Sequence, residues 1–342
     1  MIDLLKGFAI LCVLLIHSKA LGDSVGFLYV VNHAVAIFVV LFGLNSTLWW
    51  RDRLLPQHLT TWCGTRIKRI MAPYWALLPL WWMLALWYRP IGVSLSWWLP
   101  LVQLGGYTLY IGTGWFVTMI LLLVALFPLL ELGVRRMGVW RLLVAAVVGE
   151  LVVAHWRLEL LGRFGQMNYL VFPPRILGHV AFGMLLATRL DKLGTVEYLA
   201  GVALWTLCVA VQSSPLSPQL GPYIDTLIDL PLVVALLVAF RAMPTIPLVT
   251  PALLWLGVNS WGVYLGQMLI HNAVVYQCGF LPDLAPNLAA CNFPLGDDAS
   301  LGRWIYTLVL LFGAIGIIWL ARGFVLAALQ IRAKGELIMK AS

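Results

Sequence analysis

Residues 2–17, IDLLKGFAILCVLLIH, form an apolar run that nevertheless carries three ionisable side chains, Asp3, Lys6 and His17. At the helical turn per residue, Lys6 and His17 differ by about 20° in direction, and Asp3 lies within about 40° of His17. The lysine and the histidine stand roughly 16 Å apart along the axis. Ionisable groups inside a membrane helix are costly and mark functional pathways. The stripe therefore predicts a first membrane helix that turns one face to a polar cavity. It is not read as a secretory signal, because no basic cluster precedes the run and a second apolar span follows directly.

Working outward, the chain of 342 residues is 62% apolar and only 11% charged, which excludes an ordinary soluble domain. The expected fold is all-α, a polytopic integral membrane protein of about ten transmembrane helices. The expected spans are 2–21, 27–49, 70–88, 115–133, 139–156, 170–188, 196–213, 224–241, 252–276 and 302–324. Residues 1–342 read as one integral membrane domain with no soluble appendage.

The net charge of +8 does not point to nucleic acid, because its distribution follows the membrane. With ten spans, Arg51, Arg53, Arg66, Lys68 and Arg69 share one inner loop, and Arg135, Arg136 and Arg141 fall in the next. Arg332, Lys334 and Lys340 lie in the tail. The asymmetry predicts N-in, C-in. Among the 17 tryptophans, Trp49-Trp50, Trp81-Trp82 and Trp97-Trp98 fall near span ends, where indoles anchor.

Two connections are long. Residues 89–114 are too apolar for a solvated loop, and are expected to re-enter the membrane in part or lie along it. Residues 277–301 are rich in proline and acid, and are expected to cap the outer face. Cys278 and Cys291 share that loop and are either bridged, if that side is oxidising, or two unpaired thiols.

Five of the six histidines fall in spans. His17, His33, His155 and His271 lie toward the outer side and His179 deeper, with Glu150, Asp225 and Asp229 on the outer halves of their spans. An outward-opening polar cavity follows, with Arg175 as counter-ion to one of the acids. No histidine or cysteine pair has metal-ligand spacing, so no metal is expected. On the inner side RIKR, 66–69, forms a basic rim, which suits either a polyanion such as a nucleotide phosphate or ordinary positive-inside anchoring.

These segments resemble the acyltransferase-3 family of bacterial integral membrane acyltransferases. The opening IDLLKGFAILCVLLIH resembles its first-helix motif, a basic residue followed after ten positions by histidine, with Lys6 where arginine is more usual. HAVAIFVVLFGL at 33–44 is similar to the second-helix pattern, and RIKRIMAPYW at 66–75 to the basic segment leading into span three. GWFVTMILLLVALFPLL at 114–130, PPRILGHVAFGMLLA at 173–187 and LGVNSWGVYLGQMLIH at 256–271 resemble later segments in the same order. The resemblance implies transfer of an acetyl or short acyl group. The donor is cytoplasmic acyl-coenzyme A, most often acetyl-CoA, and the acceptor is a hydroxyl on a carbohydrate or lipid-linked saccharide. The expected location is the bacterial cytoplasmic membrane.

Under that reading His17 is the general base, with His33, Lys6 and Asp3 completing the catalytic set. Lys6, Arg66, Lys68 and Arg69 hold the coenzyme, and Arg175, His179, Trp115 and His271 face the acceptor. Two other readings need intramembrane charge. One is a transporter or flippase for an anionic glycolipid; the other is a transferase using a polyprenyl-linked sugar, which usually relies on acidic residues, whereas Asp297-Asp298 is the one carboxylate cluster expected on an outer loop of this chain.

Overall fold

The computed structural model describes residues 1–18, 20–21, 29–50, 58–87, 103–106, 114–277, 301 and 303–320, and every regular element among them is helical. The elements are α1 (Ile2–Ser18), α2 (Ala34–Trp50), α3 (Leu59–Trp87), α4 (Trp115–Met137), α5 (Val139–His155) and α6 (Arg157–Leu170). They continue with α7 (Leu177–Arg189), α8 (Thr195–Gln212), α9 (Ser217–Leu227), α10 (Asp229–Ala242), α11 (Val249–Val258), α12 (Ser260–Gln277) and α13 (Arg303–Leu320). Short 3-10 turns at Val31–His33 and Pro173–Arg175 lead into α2 and α7.

Four of these helices are long and apolar enough to cross a membrane, and up to seven spans result if each bent pair counts as one. The protein is an all-α, multi-pass membrane protein. The apolar helix α8 buries almost none of its length inside the molecule, and Leu199, Leu204 and Leu207 stay exposed, as a lipid-facing helix requires.

The three bends place polar groups. α5 and α6 meet at 70°, so that Arg157 begins a new direction. α9 and α10 meet at 43°, which makes Asp229 the first residue of α10, where a carboxylate suits the helix dipole. α11 and α12 meet at 80° across Asn259, whose Nδ2 donates to the Trp255 carbonyl at 2.7 Å, closing the end of α11. α4 ends at Gly138, φ 85°, with Arg135 and Arg136 in its last turn.

Two helix pairs approach through reciprocal glycines. A Cβ on Gly7 of α1 would collide with the Leu253 carbonyl of α11, and a Cβ on Gly257 of α11 with the Asp3 carbonyl of α1. Gly43 of α2 and Gly183 of α7 repeat the arrangement against Val180 and Val40. Small residues at crossings let backbones touch, and inside a membrane such packing is what holds helices together.

The structure differs from the expected spans in detail. α3 begins at Leu59 rather than 70, so the RIKR segment is helical and continuous with the third span. α6 and α9 occupy stretches read mainly as connections. Of the long segment 89–114, residues 103–106 and 114 are described, and 103–106 are clamped to the bundle. The Tyr74 hydroxyl donates to the Gln103 carbonyl at 3.0 Å, Trp82 Nε1 to Gln103 Oε1 at 2.7 Å and Thr118 Oγ1 to the Gly106 carbonyl at 2.9 Å. Cys278, Cys291 and most of 277–301 lie outside the described residues.

Candidate active site

α1 supplies the spine of the site. Lys6 and His17 both line one cavity of about 1100 Å³, as their common face predicts. Lys6 Nζ lies 2.9 Å from Asp3 Oδ1 one turn back, so the acid holds the lysine from the helix's own N-terminal turn.

The cavity wall carries further cations. Arg66 and Arg69 line the same cavity, joined by Asn45 and Trp49 of α2. The Arg66 guanidinium sits over the Trp62 ring, 5.8 Å from its centroid. Burial, and then the charge of Arg69, pull the Arg66 pKa below its usual value. Two guanidiniums that disfavour each other are a place where an anion is welcome. Lys68 is exposed and is not among the residues lining the cavity.

The His17 ring is held on two sides. Its Nδ1 lies 2.7 Å from Oε1 of Gln267 on α12. Its face stacks on His271, centroids 4.7 Å apart and planes at 26°. His271 Nδ1 in turn lies 3.0 Å from the Tyr306 hydroxyl of α13. His271 therefore packs beside His17 and is not itself among the lining residues, whereas Trp115 and Arg175 are.

A second cluster forms a chain of four ionisable groups from four elements. His33 Nδ1 is 2.7 Å from Asp229 Oδ1, and Asp229 Oδ2 is 2.9 Å from His179 Nε2. His179 Nδ1 is 2.9 Å from Glu150 Oε1, which also accepts the His179 backbone N–H at 3.2 Å. Both ring nitrogens of His179 are thus committed to carboxylates. The Glu150 carboxylate fits against Gly178, where any Cβ would strike it. His33 points toward Asp229, and the half-exposed Arg157 and Asp225, which line the same cavity, pair at 3.5 Å. The ion pairs of Glu150, Asp225 and Asp229 described here are thus with His179, Arg157, His33 and again His179.

Of the candidates named from the sequence, Lys6, His17, His33, Arg66, Arg69, Trp115, Arg175 and His179 line this cavity, whereas Gln267 and the linkage through Asp229 were not foreseen. Gln267 had a signal: a polar amide one turn before His271, within the mostly apolar stretch 261–270. Among the described residues, no group of three or more His, Cys, Asp or Glu is placed to hold a metal ion.

Fold and site together define a polytopic helical membrane protein with an interior cavity lined by cations, imidazoles and carboxylates. The model of the acyltransferase domain family, Acyl_transf_3, matches residues 1–323, and the chain belongs to this family. Searches of curated proteins and of solved structures return no match.

Proposed function

We propose that the protein is a membrane-bound O-acyltransferase of the bacterial cytoplasmic membrane. It moves an acetyl or short acyl group from cytoplasmic acyl-CoA to a hydroxyl of a cell-surface carbohydrate or glycolipid on the outer side. The topology of this reading is ten spans, N-in and C-in. The observation that carries it is the single cavity that Lys6, Arg66 and Arg69 share with His17. His17 stands eleven helical steps beyond Lys6, about 16 Å along α1, the reach an extended pantetheine arm needs.

The coenzyme's phosphates lie against Arg66 and Arg69, with Lys68 adding long-range attraction from outside the cavity. Lys6, held by Asp3, neutralises charge along the arm. His17 Nε2 takes the proton of the acceptor hydroxyl as its oxygen bonds to the thioester carbonyl carbon. Collapse of the tetrahedral intermediate breaks the C–S bond. The departing thiolate takes the proton from His17, which leaves an ester and a free thiol. His33, in its protonated form against Asp229, donates to the oxyanion. Trp115 and Arg175 contact the acceptor, while His271 and His179 form its surroundings, the first beside His17 and the second within the carboxylate chain.

The test is calorimetric titration of acetyl-CoA into purified protein, in wild type and in Arg69→Ala and Lys6→Ala. Micromolar binding that weakens in both variants supports the reading. A folded protein that binds no acetyl-CoA overturns it and favours transport of an anionic glycolipid, for which Arg157 and Arg175 on the cavity wall are suited. Full activity in His17→Ala would remove the proposed base.

A further inference from the structure

Gln267 is completely buried at the centre of α12, within an apolar helix. Its Oε1 accepts from His17 Nδ1 at 2.7 Å, while its Nε2 has no hydrogen-bond partner among the described residues. Leaving an amide nitrogen buried without a partner costs stability, and an apolar side chain of the same shape would not incur that cost. A residue kept at such a cost is a candidate for function rather than packing.

The chemistry of the contact says what that function is. A carboxamide oxygen only accepts, so the bond requires the proton on Nδ1. Neutral imidazole has one ring proton, so Nε2 then carries the lone pair. The His17 ring lines the cavity and Gln267 does not, so the amide reaches the cavity only through the imidazole. Stacking on His271, itself tied to Tyr306, fixes the tilt of the ring, which leaves the tautomer to Gln267.

We propose that Gln267 is a positioning residue that holds His17 in the Nδ1–H tautomer, presenting the Nε2 lone pair to the acceptor hydroxyl. This rests on the acyl-transfer reading. In the opposite tautomer Nε2 already carries a proton and cannot take the one released as the ester bond forms.

Two variants and two readouts test it. Gln267→Met keeps the length and removes the accepting oxygen; Gln267→Glu restores an accepting oxygen. The first readout is the ¹⁵N NMR signal of histidine-labelled protein in lipid discs, with His17 assigned by its loss in His17→Ala. The second is release of free thiol from acetyl-CoA with glycerol as acceptor probe. Wild type is expected to show the Nδ1–H tautomer. Gln267→Met is expected to lose it and to fall ~10²-fold in kcat, with KM for acetyl-CoA unchanged and thermal stability equal or higher. Gln267→Glu is expected to recover the tautomer and at least a tenfold part of the lost rate. A mainly structural role predicts the reverse order, because a buried carboxylate is tolerated less well than a thioether. The Nε2–H tautomer in wild type, or a wild-type rate in Gln267→Met, would overturn the proposal. Thiol release that is absent from wild type counts against acyl transfer, and the NMR comparison then decides the tautomer claim alone.

Discussion

Asp229 stands between two histidines, with Oδ1 2.7 Å from His33 Nδ1 and Oδ2 2.9 Å from His179 Nε2. Because Asp229 opens α10 and His33 ends the turn before α2, one carboxylate ties together helices remote in sequence. His179 carries the linkage on to Glu150 of α5.

Removing His179 strands the buried Glu150 and leaves Asp229 with His33 alone. His179→Ala is expected to destabilise the protein by about 3–5 kcal/mol, the cost of breaking a buried ion pair from one side. Thermal unfolding in detergent measures it. By contrast, Arg157→Ala removes a pair of which both partners are about half exposed, and is expected to cost less than about 1 kcal/mol.

The reciprocal glycines make a second stability test. Gly7→Ala and Gly257→Ala each drive a methyl group into a backbone carbonyl, and overpacking of this kind costs about 1–3 kcal/mol or more. Gly149 has nothing within 4 Å of an added Cβ, so Gly149→Ala is expected to be neutral or stabilising. Equal melting temperatures for Gly257→Ala and Gly149→Ala would remove the close α1–α11 approach.

The proposed donor site predicts different effects for the three cations of the basic segment. Arg66 and Arg69 line the cavity and Lys68 does not. Acetyl-CoA affinity is expected to fall about tenfold or more in Arg66→Ala and in Arg69→Ala, the worth of one charge-assisted bond. Lys68→Ala is expected to change it by less than about threefold and mainly at low salt. Calorimetry at two salt concentrations reads both effects.

Catalysis and binding should part company at His17. His17→Ala is expected to keep acetyl-CoA affinity and lose ~10²–10⁴-fold in thiol release, the usual range for a positioned base. Loss of affinity with the rate constant unchanged would instead make His17 a binding residue.

Much of this was legible in residue order. The common direction of Lys6 and His17 is a property of one helix, so periodicity alone predicted that both face a cavity, and both do. The Asp3–Lys6 pair is likewise local, three residues apart. Lys68 illustrates the limit of a charge run. RIKR reads as a patch in a loop, but α3 starts early and winds it into helix, so Arg66 and Arg69 share a face that Lys68 leaves.

Helix class, the membrane setting and the polar stripe of α1 followed from composition and period, because hydropathy and helical geometry act over a few neighbouring residues. The partners did not. That Gln267 meets His17 across 250 positions, that Asp229 bridges His33 and His179, and that Gly7 lies against Leu253 are results of which helices cross. In an apolar chain many faces offer similar packing, so the crossings, and with them the site, are settled only when the whole bundle closes.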